Sequence, residues 1–390
     1  MYVGFINTSK KPPLVAKVSA IMGQYYGFEI IYFTPEDINL NNGYVNGKKY
    51  SNNKWRPIKT KLPYLVDASS KSFNRNTREI TAYLRENTVL TFDKKNTPNK
   101  EKLQKLLSHE KEFKHLVIPS EKLNSFYTLQ TFLNEYSSVV VKPVSGMRGE
   151  DIYGISKQND VYILSHKTEE FKLNYDKLYN FYENYLSGEK YMVQKMINSR
   201  TLDGAPFDCR IVVQKNRQGK WVIAKMFFRI GTGQKIVSNT SHGGSISDPK
   251  PFLKNNFGSQ WKNIYQELKN IAVTIPYTFE MFKGTPTMDL GLDIGIDKNG
   301  DLFVFELNNG ASVKRLTSES AILRLEYYQY LIETHPDLKK IKKNIRKKNV
   351  KKKNLKKERD FYKNEYDKLV KSKSWRLTMP LRKFSSFLKK

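Results

Sequence analysis

Short apolar runs and one stretch of helical periodicity alternate through the first hundred residues. YVGFI, EIIYFT and LPYLVD have the length and apolar content of strands, and LVAKVSAIMGQYYG has the periodicity of a helix that ends at Gly27. Turns are predicted at Asn41–Asn42, Gly43 and Gly47. The strand–helix–strand order predicts a partly parallel sheet, so we expect a small α/β domain over residues 1–97. The segment lacks the Gly-x-Gly-x-x-Gly loop of a dinucleotide-binding domain.

A polar segment, DKKNTPNK, separates this domain from a second series of elements. EKLQKLLSHE, YTLQTFLNEY and YDKLYNFYENYLSG have helical periodicity. HLVIP, SVVVKPV and EKYMVQKMI are predicted strands, and IYGIS and VYIL are predicted to form an antiparallel pair. We expect this second domain to cover residues 98–195.

Strands dominate the pattern of residues 196–320, the third predicted domain. DCRIVVQK, KWVIAKMFF and KIVSNTS are predicted strands, and a helix is predicted from about residue 260. TMDLGLDIGID and LFVFELNN are predicted to form a hairpin around the turn Asp297–Gly300. Mixed strands and helices place the chain in the α/β (α+β) class, and a basic helical tail is predicted over residues 321–390.

Composition supports a folded protein and excludes several classes. The chain of 390 residues is 39% hydrophobic and 13% aromatic, which is ample for a core. It has neither an apolar run long enough to span a bilayer nor the pattern of a secretory signal, so we expect a cytoplasmic protein. A single cysteine, Cys209, excludes an intramolecular disulfide and argues against a cysteine-rich zinc site.

The net charge of +30 is concentrated in the tail. Residues 336–390 contain 22 lysines and arginines against 5 aspartates and glutamates. Such a tail attracts an acidic partner, either nucleic acid, anionic lipid or an acidic polymer. The alternatives are a solvated helix that keeps the protein soluble and a helix that oligomerises as a weak coiled coil.

Acidic and amide side chains at the late hairpin give the strongest chemical signal. Glu306 and Asn308 are two residues apart and share one strand face, and the hairpin brings Asp293 alongside them. Three oxygen-bearing side chains suit Mg²⁺ that bridges phosphates. The alternative is a solvent-exposed polar face, but the apolar run FVFELNN favours a buried carboxylate that needs a partner.

Three further segments carry charge or glycine next to strands. VVVKPVSGMRGEDI places Lys142 at the end of an apolar strand and Gly146 and Gly149 in the loop, as in a phosphate-binding loop or an ordinary turn. FDCRIVVQK puts Asp208 and Arg210 on one strand face, where Arg210 can clamp a phosphate or form a surface ion pair. FFRIGTGQKIVSNTSHGGSIS indicates a loop near a charged ligand.

The ordered set YMVQKMI, PFDCRIVVQKNRQGKWVIAKMFFRI, SNTSHGGS, LGLDIGID and FELNNGAS resembles the ATP-grasp superfamily of carboxylate–amine ligases. The resemblance runs from about Asn99 to Ser312. The nearest branch is the spore-coat-associated ATP-grasp proteins of low-GC Gram-positive bacteria. It implies an ATP-grasp fold with nucleotide bound between two subdomains.

The resemblance also implies roles for single residues. Asp293, Glu306 and Asn308 match the ligands of two Mg²⁺ ions, for which Mn²⁺ can substitute. Arg210 and Arg229, with Asn239 nearby, match contacts to the transferred phosphoryl and acyl groups. The residues implied to bind ATP are Lys100, Lys142, Ser145, Gly146, Gly149, Gln194, Lys195, Ile197 and Asp203.

Two segments depart from the family pattern. Gln194 stands where many relatives have glutamate, which leaves adenine recognition to the backbone or to the Gln194 amide. Asn309–Gly310–Ala311–Ser312 replaces the usual proline or glycine after the metal-binding motif, in a loop that shapes the acceptor site. The identity of the acceptor is therefore open.

Three functions remain open from the sequence. The first is ATP-dependent ligation of a carboxylate to an amine or amino acid through an acyl phosphate. SKSWRLTMPLRKF resembles a segment of bacterial surface-glycan glycosyltransferases. It suggests a uronic-acid glycan substrate and a peripheral position at an anionic inner-membrane face. The second is a coat-associated scaffold without turnover, and the weakest is nucleic-acid binding through the tail.

Overall fold

The N-terminal apolar runs form the first of three sheets in this computed structural model, which describes residues 1–144, 151–188, 191–231, 244–310, 316–339 and 355–372. The strands of the first sheet are β1 (Tyr2–Ile6), β2 (Glu29–Phe33), β3 (Ile38–Asn39), β4 (Tyr44–Ser51), β5 (Lys54–Lys61), β6 (Leu65–Ala68) and β7 (Val89–Leu90). Their order is β3-β4-β2-β1-β6-β7, with β5 paired to β4. Strands β2, β1, β6 and β7 are mutually parallel, which confirms the predicted partly parallel sheet.

The hairpin of β4 and β5 was not predicted, and the turn expected at Gly47 is wrong. Gly43 does lie in the predicted turn, with a φ of 68°. Gly47 instead lies inside β4, where an added Cβ would come within 2.8 Å of Ile31 and 3.0 Å of the carbonyl oxygen of Tyr32. This glycine therefore permits a close approach of strands and marks no turn.

An antiparallel sheet with helices on one face forms the second layer. Its strands are β8 (Ser120–Lys122), β9 (Ser138–Pro143), β10 (Tyr153–Gln158), β11 (Val161–His166), β12 (Glu169–Leu173) and β13 (Tyr191–Lys195), in the order β12-β11-β10-β9-β13-β8. The predicted pairing of IYGIS with VYIL is confirmed as β10 and β11. Valines 139, 141 and 193 point toward helices that are identified below, so Lys142, Met192 and Gln194 lie on the opposite face of β9 and β13.

The predicted strand HLVIP is wrong. Lys114–Leu116 form a short 3₁₀ turn, and residues 117–119 belong to no strand. The backbone N–H of Ile118 donates to the Oε1 of Gln104 at 3.1 Å, and Pro119 has no N–H to offer a neighbouring strand. The side chain of Gln104 therefore accepts the hydrogen bond that a neighbouring strand would accept in the predicted sheet.

The third sheet carries the charged motifs. Its strands are β14 (Phe207–Lys215), β15 (Trp221–Ile230), β16 (Ser245–Ser247), β17 (Asp289–Ile296) and β18 (Leu302–Asn309), in the order β16-β15-β14-β17-β18. The predicted hairpin is confirmed as β17 and β18. The predicted strand KIVSNTS lies outside the described residues.

Each sheet is covered by helices that pack their apolar residues against it. In chain order they are α1 (Leu14–Gly23), α2 (Arg78–Asn87), α3 (Lys100–His109), α4 (Phe126–Tyr136), α5 (Tyr175–Phe181), α6 (Pro249–Phe257), α7 (Trp261–Lys283), α8 (Thr317–Thr334) and α9 (Leu355–Lys371). Helices α4 and α5 pack on the second sheet, and α3, α6 and α7 pack on the third. On the first sheet, α1 and α8 pack on one face and α2 on the other.

Helix α8 joins the first sheet to the third through a buried ion network. The Nη1 of Arg324 donates to both carboxylate oxygens of Asp67 on β6, at 2.7 and 2.6 Å. Its Nη2 donates to the Oδ2 of Asp289 on β17 at 2.9 Å. Tyr328 and Thr91 also donate to Asp67. Two carboxylates raise the pKa of Arg324 against the effect of burial, so the guanidinium is a fixed charge that holds three elements together.

The tail contributes helix α9 to the described structure. The ring of Tyr366 on α9 stacks on Tyr25 near the end of α1, with 5.8 Å between the centroids. In the part of the chain that the structure describes, no helix is both long and apolar enough to cross a bilayer.

The ion network predicts a large stability loss for Asp67→Ala. Removing one partner of a buried ion pair leaves Arg324 poorly compensated, and we expect the free energy of unfolding to fall by about 3–5 kcal/mol in urea denaturation. Glu86→Ala, which removes an exposed carboxylate from α2, is the control and should change stability by less than about 0.5 kcal/mol. Equal effects of the two substitutions would contradict a structural role for the network.

Candidate functional site

The second sheet contributes a buried lysine and a buried amide on its cleft-facing side. Lys142 on β9 lies opposite Met192 on β13, and Gln194 lies two residues further along β13 on the same face. The Nζ of Lys142 donates to the Oε1 of Gln194 at 2.6 Å, and both side chains are buried. This face of the sheet thus carries two buried polar side chains that are hydrogen-bonded to each other.

Three elements bring charges together around Lys142. The pKa of Lys142 is lowered to about 8: burial lowers it most, nearby Lys100 also lowers it, and Glu306 partly offsets both by raising it. Lys100 begins helix α3, and Glu306 lies near the end of β18 in the third sheet. These charges come from α3, the second sheet and the third sheet, so the region between the two sheets, called the cleft below, contains residues from distant parts of the chain. The positive charges of Lys100 and Lys142 favour the binding of a polyanion in this region.

A β-bulge sets the face on which the acidic residues lie. Ile294 pairs with Val304, but the register shifts at the next position so that Asp293 pairs with Glu306 and Gly291 with Asn308. Without the shift, Asp293 would face Phe305, and Glu306 and Asn308 would point into the core. The Nδ2 of Asn308 donates to the Oδ2 of Asp293 at 3.2 Å. The bulge therefore assembles the three predicted metal-binding residues on one face.

Two arginines flank the same carboxylate. Arg210 on β14 lies opposite Asp293, and its Nη2 donates to the Oδ2 of Asp293 at 2.9 Å. The Nε of Arg229 on β15 donates to the Oδ1 of Asp208 at 2.7 Å, while its Nη2 lies 3.0 Å from the Oδ1 of Asp293. Burial alone would lower the pKa of Arg229, but Asp293 and Asp208 raise it. Both arginines are therefore fixed cations at the edge of the cleft.

The donor set fits magnesium that is shared with a polyphosphate. Carboxylate and amide oxygens of Asp293, Glu306 and Asn308 are hard ligands of the kind Mg²⁺ prefers. Within the described ranges, Glu306 has neither an ion pair nor a hydrogen bond, so its carboxylate is available to a cation. Those ranges also contain no cluster of three histidine, cysteine, aspartate or glutamate side chains that could hold a metal. The ion would therefore need further oxygens from a ligand.

The resemblance implies three further residues that the structure describes, Lys195, Ile197 and Asp203. The Nζ of Lys195 lies over the ring of Tyr136 at 5.6 Å, and Ile197 is half-buried in the irregular segment after β13. Asp203 is exposed in the turn between Thr201 and Ala205. Four predicted residues lie outside the described residues: Ser145, Gly146, Gly149 and Asn239.

Sequence reasoning missed a cavity of about 610 Å³ beside the hairpin. It lies between the ends of β1 and β6, the start of α1 and the loop at Gly310, and Arg324 and Asp289 form part of its wall. Leu14, Lys71 and Phe92 also line it. In the sequence, Asp67 at the end of LPYLVD indicated the carboxyl end of a parallel strand, where such cavities occur. No local sequence pattern indicated that Arg324 lies in the cavity wall.

Comparisons with known proteins give a family and two relatives. The model of the family described as YheC/D-like ATP-grasp matches residues 89–334, more than half of the chain. The endospore coat-associated protein YheD of Bacillus subtilis (strain 168) is 22% identical over 294 residues, covering 71% of this chain and 63% of YheD. The chain thus spans less than two thirds of that relative. YheC of the same organism, also an endospore coat-associated protein, is 21% identical over 320 residues, covering 78% of this chain and 86% of YheC.

Among solved structures, D-alanyl-alanine synthetase A from Vibrio cholerae has a TM-score of 0.49 and 13% identity, covering 85% of this chain and 96% of that chain. D-cycloserine synthetase DcsG has a TM-score of 0.47 and 13% identity, covering 83% of this chain and 100% of that chain.

The lowered pKa of Lys142 predicts proton uptake when a polyphosphate binds. At pH 8.5 part of the Lys142 population is neutral, and a nearby anion raises the pKa so that the amine takes up a proton. Affinity for Mg²⁺-ATP should therefore fall as the pH rises above 8. Titration calorimetry at pH 8.5 in buffers of different ionisation enthalpy measures the proton directly. Lys142→Arg, which keeps its charge, should abolish the uptake, and unchanged uptake in that variant would contradict the assignment.

Proposed function

Because the chain belongs to the YheC/D-like ATP-grasp family, we propose that it is an ATP- and Mg²⁺-dependent ligase that joins a carboxylate to an amine. One observation carries the proposal. Lys100 and Glu306 lie near enough to Lys142 to change its pKa, and Glu306 shares a sheet face with Asp293 and Asn308, beside two arginines. A triphosphate with its magnesium requires this combination of cations and hard oxygen ligands.

The lysines and the acidic face have separate tasks in this proposal. Lys100 and Lys142 bind the phosphates of ATP, and Asp293, Glu306 and Asn308 hold the Mg²⁺, with two ions proposed and Mn²⁺ as a substitute. When bound, the metal neutralises charge that develops on the transferred phosphoryl group. Residues 145–149, which the resemblance implies for phosphate binding, lie outside the described residues.

The arginines orient the groups that react. A carboxylate oxygen of the substrate attacks the γ-phosphorus, the bond from phosphorus to the bridging oxygen breaks, and ADP leaves with that electron pair. Arg210 and Arg229 stabilise the phosphoryl oxygens, and Asp208 holds the guanidinium of Arg229 in place while Asp293 serves the metal. The amine nitrogen then attacks the acyl carbon, the carbon–oxygen bond to phosphate breaks, and the nitrogen loses a proton. No protein nucleophile is required.

Ligand binding would change the partners of Asp293. This carboxylate now neutralises Arg210 and Arg229 and accepts from Asn308. A phosphate that approaches the arginines and a cation that approaches the carboxylate would replace these contacts with equivalent ones. The ion pairs of Asp293 with Arg210 and Arg229 therefore compensate the charges of this face.

We propose that the cavity beside Gly310 holds an organic substrate. Gly310 follows the metal-binding Asn308 by two residues, so the cavity opens next to the site of phosphoryl transfer. Its wall combines apolar side chains, among them Leu14 and Phe92, with Lys71 and the backbone at the start of α1. A small molecule with an anionic group and an apolar part suits this lining.

The nature of the two substrates is a finer proposal. A uronic-acid carboxylate of a surface glycan, joined to an amino acid or another amine, is supported only by the tail segment SKSWRLTMPLRKF and its positive charge. The relatives YheC and YheD are named as coat-associated proteins, which supports the second candidate, an ATP-binding scaffold of an envelope or coat without turnover. Glu306, with no ion pair among the described residues, favours the enzyme because a scaffold needs no open metal ligand.

Turnover of ATP tests the enzyme. We expect release of ADP and phosphate only when a carboxylate and an amine are both present, assayed against a panel of uronic-acid glycans and amino acids. Glu306→Gln should lower kcat by at least about 100-fold, since it removes a ligand of the metal. Glu86→Gln is the exposed control and should leave kcat unchanged. AMP and pyrophosphate as products, or equal rates in both variants, would contradict the mechanism.

A second substitution tests the cavity. Leu14 is 62% exposed at its wall, so Leu14→Trp should fill the space without disturbing the core. We expect the KM of one organic substrate to rise about tenfold or more while the affinity for Mg²⁺-ATP stays the same. An unchanged KM for every substrate would exclude the cavity as a substrate site.

A further inference from the structure

The side chain of Gln104 on α3 is a buried amide whose two ends bond different parts of the chain. Its Nε2 donates to the carbonyl oxygen of Val304 on β18 at 2.9 Å. Its Oε1 accepts from the backbone N–H of Ile118 at 3.1 Å, and the residue is 5% exposed. Gln104 therefore joins α3 both to the third sheet and to the segment that precedes β8.

The two bonds fix the amide in one orientation. Rotating it by 180° would set the oxygen of Gln104 against the carbonyl oxygen of Val304, and its N–H groups against the N–H of Ile118. Both contacts would be repulsive, and both backbone groups would lose their partner inside the protein. The amide is thus a bridge with a single hydrogen-bonded arrangement.

The bond to Val304 lies at the β-bulge that sets the face of the acidic residues. Val304 is the last residue of β18 that is paired before the register shift, and Phe305 is the extra residue between it and Glu306. A bulge disrupts the ladder locally, so nearby backbone groups need other partners. Among the described strands only β17 pairs with β18. Gln104 supplies a partner for the bulge from outside the sheet.

The bond from Ile118 connects the same amide to the second sheet. Ile118 lies two residues before β8, which pairs with β13 of that sheet. The carbonyl oxygen of the next residue, Pro119, accepts from the backbone N–H of Lys195 at the end of β13, at 2.9 Å. The bridge therefore links both of the sheets that contribute charged residues to the cleft.

Helix α3 also carries Lys100, one helical turn before Gln104. Lys100 is the first residue of α3 and lies near enough to Lys142 to affect its pKa. Residues four positions apart lie on the same face of a helix. One helix of ten residues therefore carries both a lysine to which the proposed function assigns the phosphates and the amide that holds the strand of the metal ligands.

We propose that Gln104 is a positioning residue that fixes Glu306 and Asn308 relative to Lys100, so that the metal and the nucleotide bind cooperatively. The inference rests on the proposed metal–nucleotide site and assigns Gln104 no contact with either ligand. Mg²⁺ requires oxygen ligands at about 2.0–2.1 Å, so a displacement of about 1 Å between α3 and β18 would separate the phosphate oxygens from the protein ligands of the ion.

The test measures the enhancement of Mn²⁺ binding by ADP, defined as the ratio of the Mn²⁺ dissociation constants without and with ADP. Partial unfolding of a variant weakens both affinities by the same factor, so this ratio reports the geometry of the site and not its stability. By electron paramagnetic resonance, the wild-type enhancement should be at least about tenfold, and that of Gln104→Met should fall below about threefold. Methionine keeps the volume of the side chain and makes neither bond.

Ser199→Ala is the matched control. The Oγ of Ser199 is a buried bridge between two backbone groups of the third sheet, since it donates to the carbonyl oxygen of Phe207 at 2.7 Å and accepts from the N–H of Ile296 at 3.1 Å. It touches neither the bulge nor α3 in these bonds. The variant should keep the wild-type enhancement even if its stability falls.

A second variant covers the case in which Gln104→Met does not fold. In Gln104→Ala, water can enter the space and satisfy both backbone groups without restoring a rigid link, and the enhancement should again fall below about threefold. A folded variant of Gln104 with the wild-type enhancement, or an equal loss in Ser199→Ala, would overturn the inference and leave the proposed function intact. Wild-type protein without any enhancement would contradict the metal–nucleotide site and the proposed function with it.

Discussion

The charge of Arg324 determines how the first and third sheets meet. A guanidinium that is buried between two sheets is tolerated only if carboxylates surround it, and Asp67 and Asp289 supply them from β6 and β17. This one residue therefore fixes the end of a parallel strand beside the hairpin that carries Glu306 and Asn308. The cavity beside Gly310 exists because the two sheets are held at that separation. The amino-terminal sheet is thereby part of the candidate site.

Charge compensation also organises the cleft itself. Asp208, Arg229, Asp293 and Arg210 form a continuous series of opposite charges across β14, β15 and β17. Arg229, which Asp208 also holds, needs little reorganisation when a phosphoryl group arrives, and such preorganisation is how enzymes lower the cost of charge development. Across the cleft, Lys142 donates to Gln194 and pairs with no carboxylate within the described ranges, so its charge is available to an anion.

Local periodicity predicted most elements, and alternation predicted that Glu306 and Asn308 share a face. The sequence could not predict the bulge after Asp293, although that bulge decides which face they share. Arg324 and Asp67 are 257 positions apart, and no local pattern connects them. HLVIP failed as a strand because the Gln104 side chain bonds its backbone, and Gly47 failed as a turn because tight packing also selects glycine. Sequence motifs thus identified most of the candidate site residues. The ion pairs and hydrogen bonds between sheets could be identified only from the structure.

Binding of Mn²⁺ by electron paramagnetic resonance tests the central claim most directly, because it needs no knowledge of the substrates. We predict weak binding of Mn²⁺ alone and at least about tenfold tighter binding when ADP is present, because phosphate oxygens would then complete the coordination of the ion. Glu306→Gln should abolish the enhancement, whereas Glu86→Gln should retain it. Mn²⁺ binding that ADP does not change, or an enhancement that survives in Glu306→Gln, would contradict a metal–nucleotide site on this face.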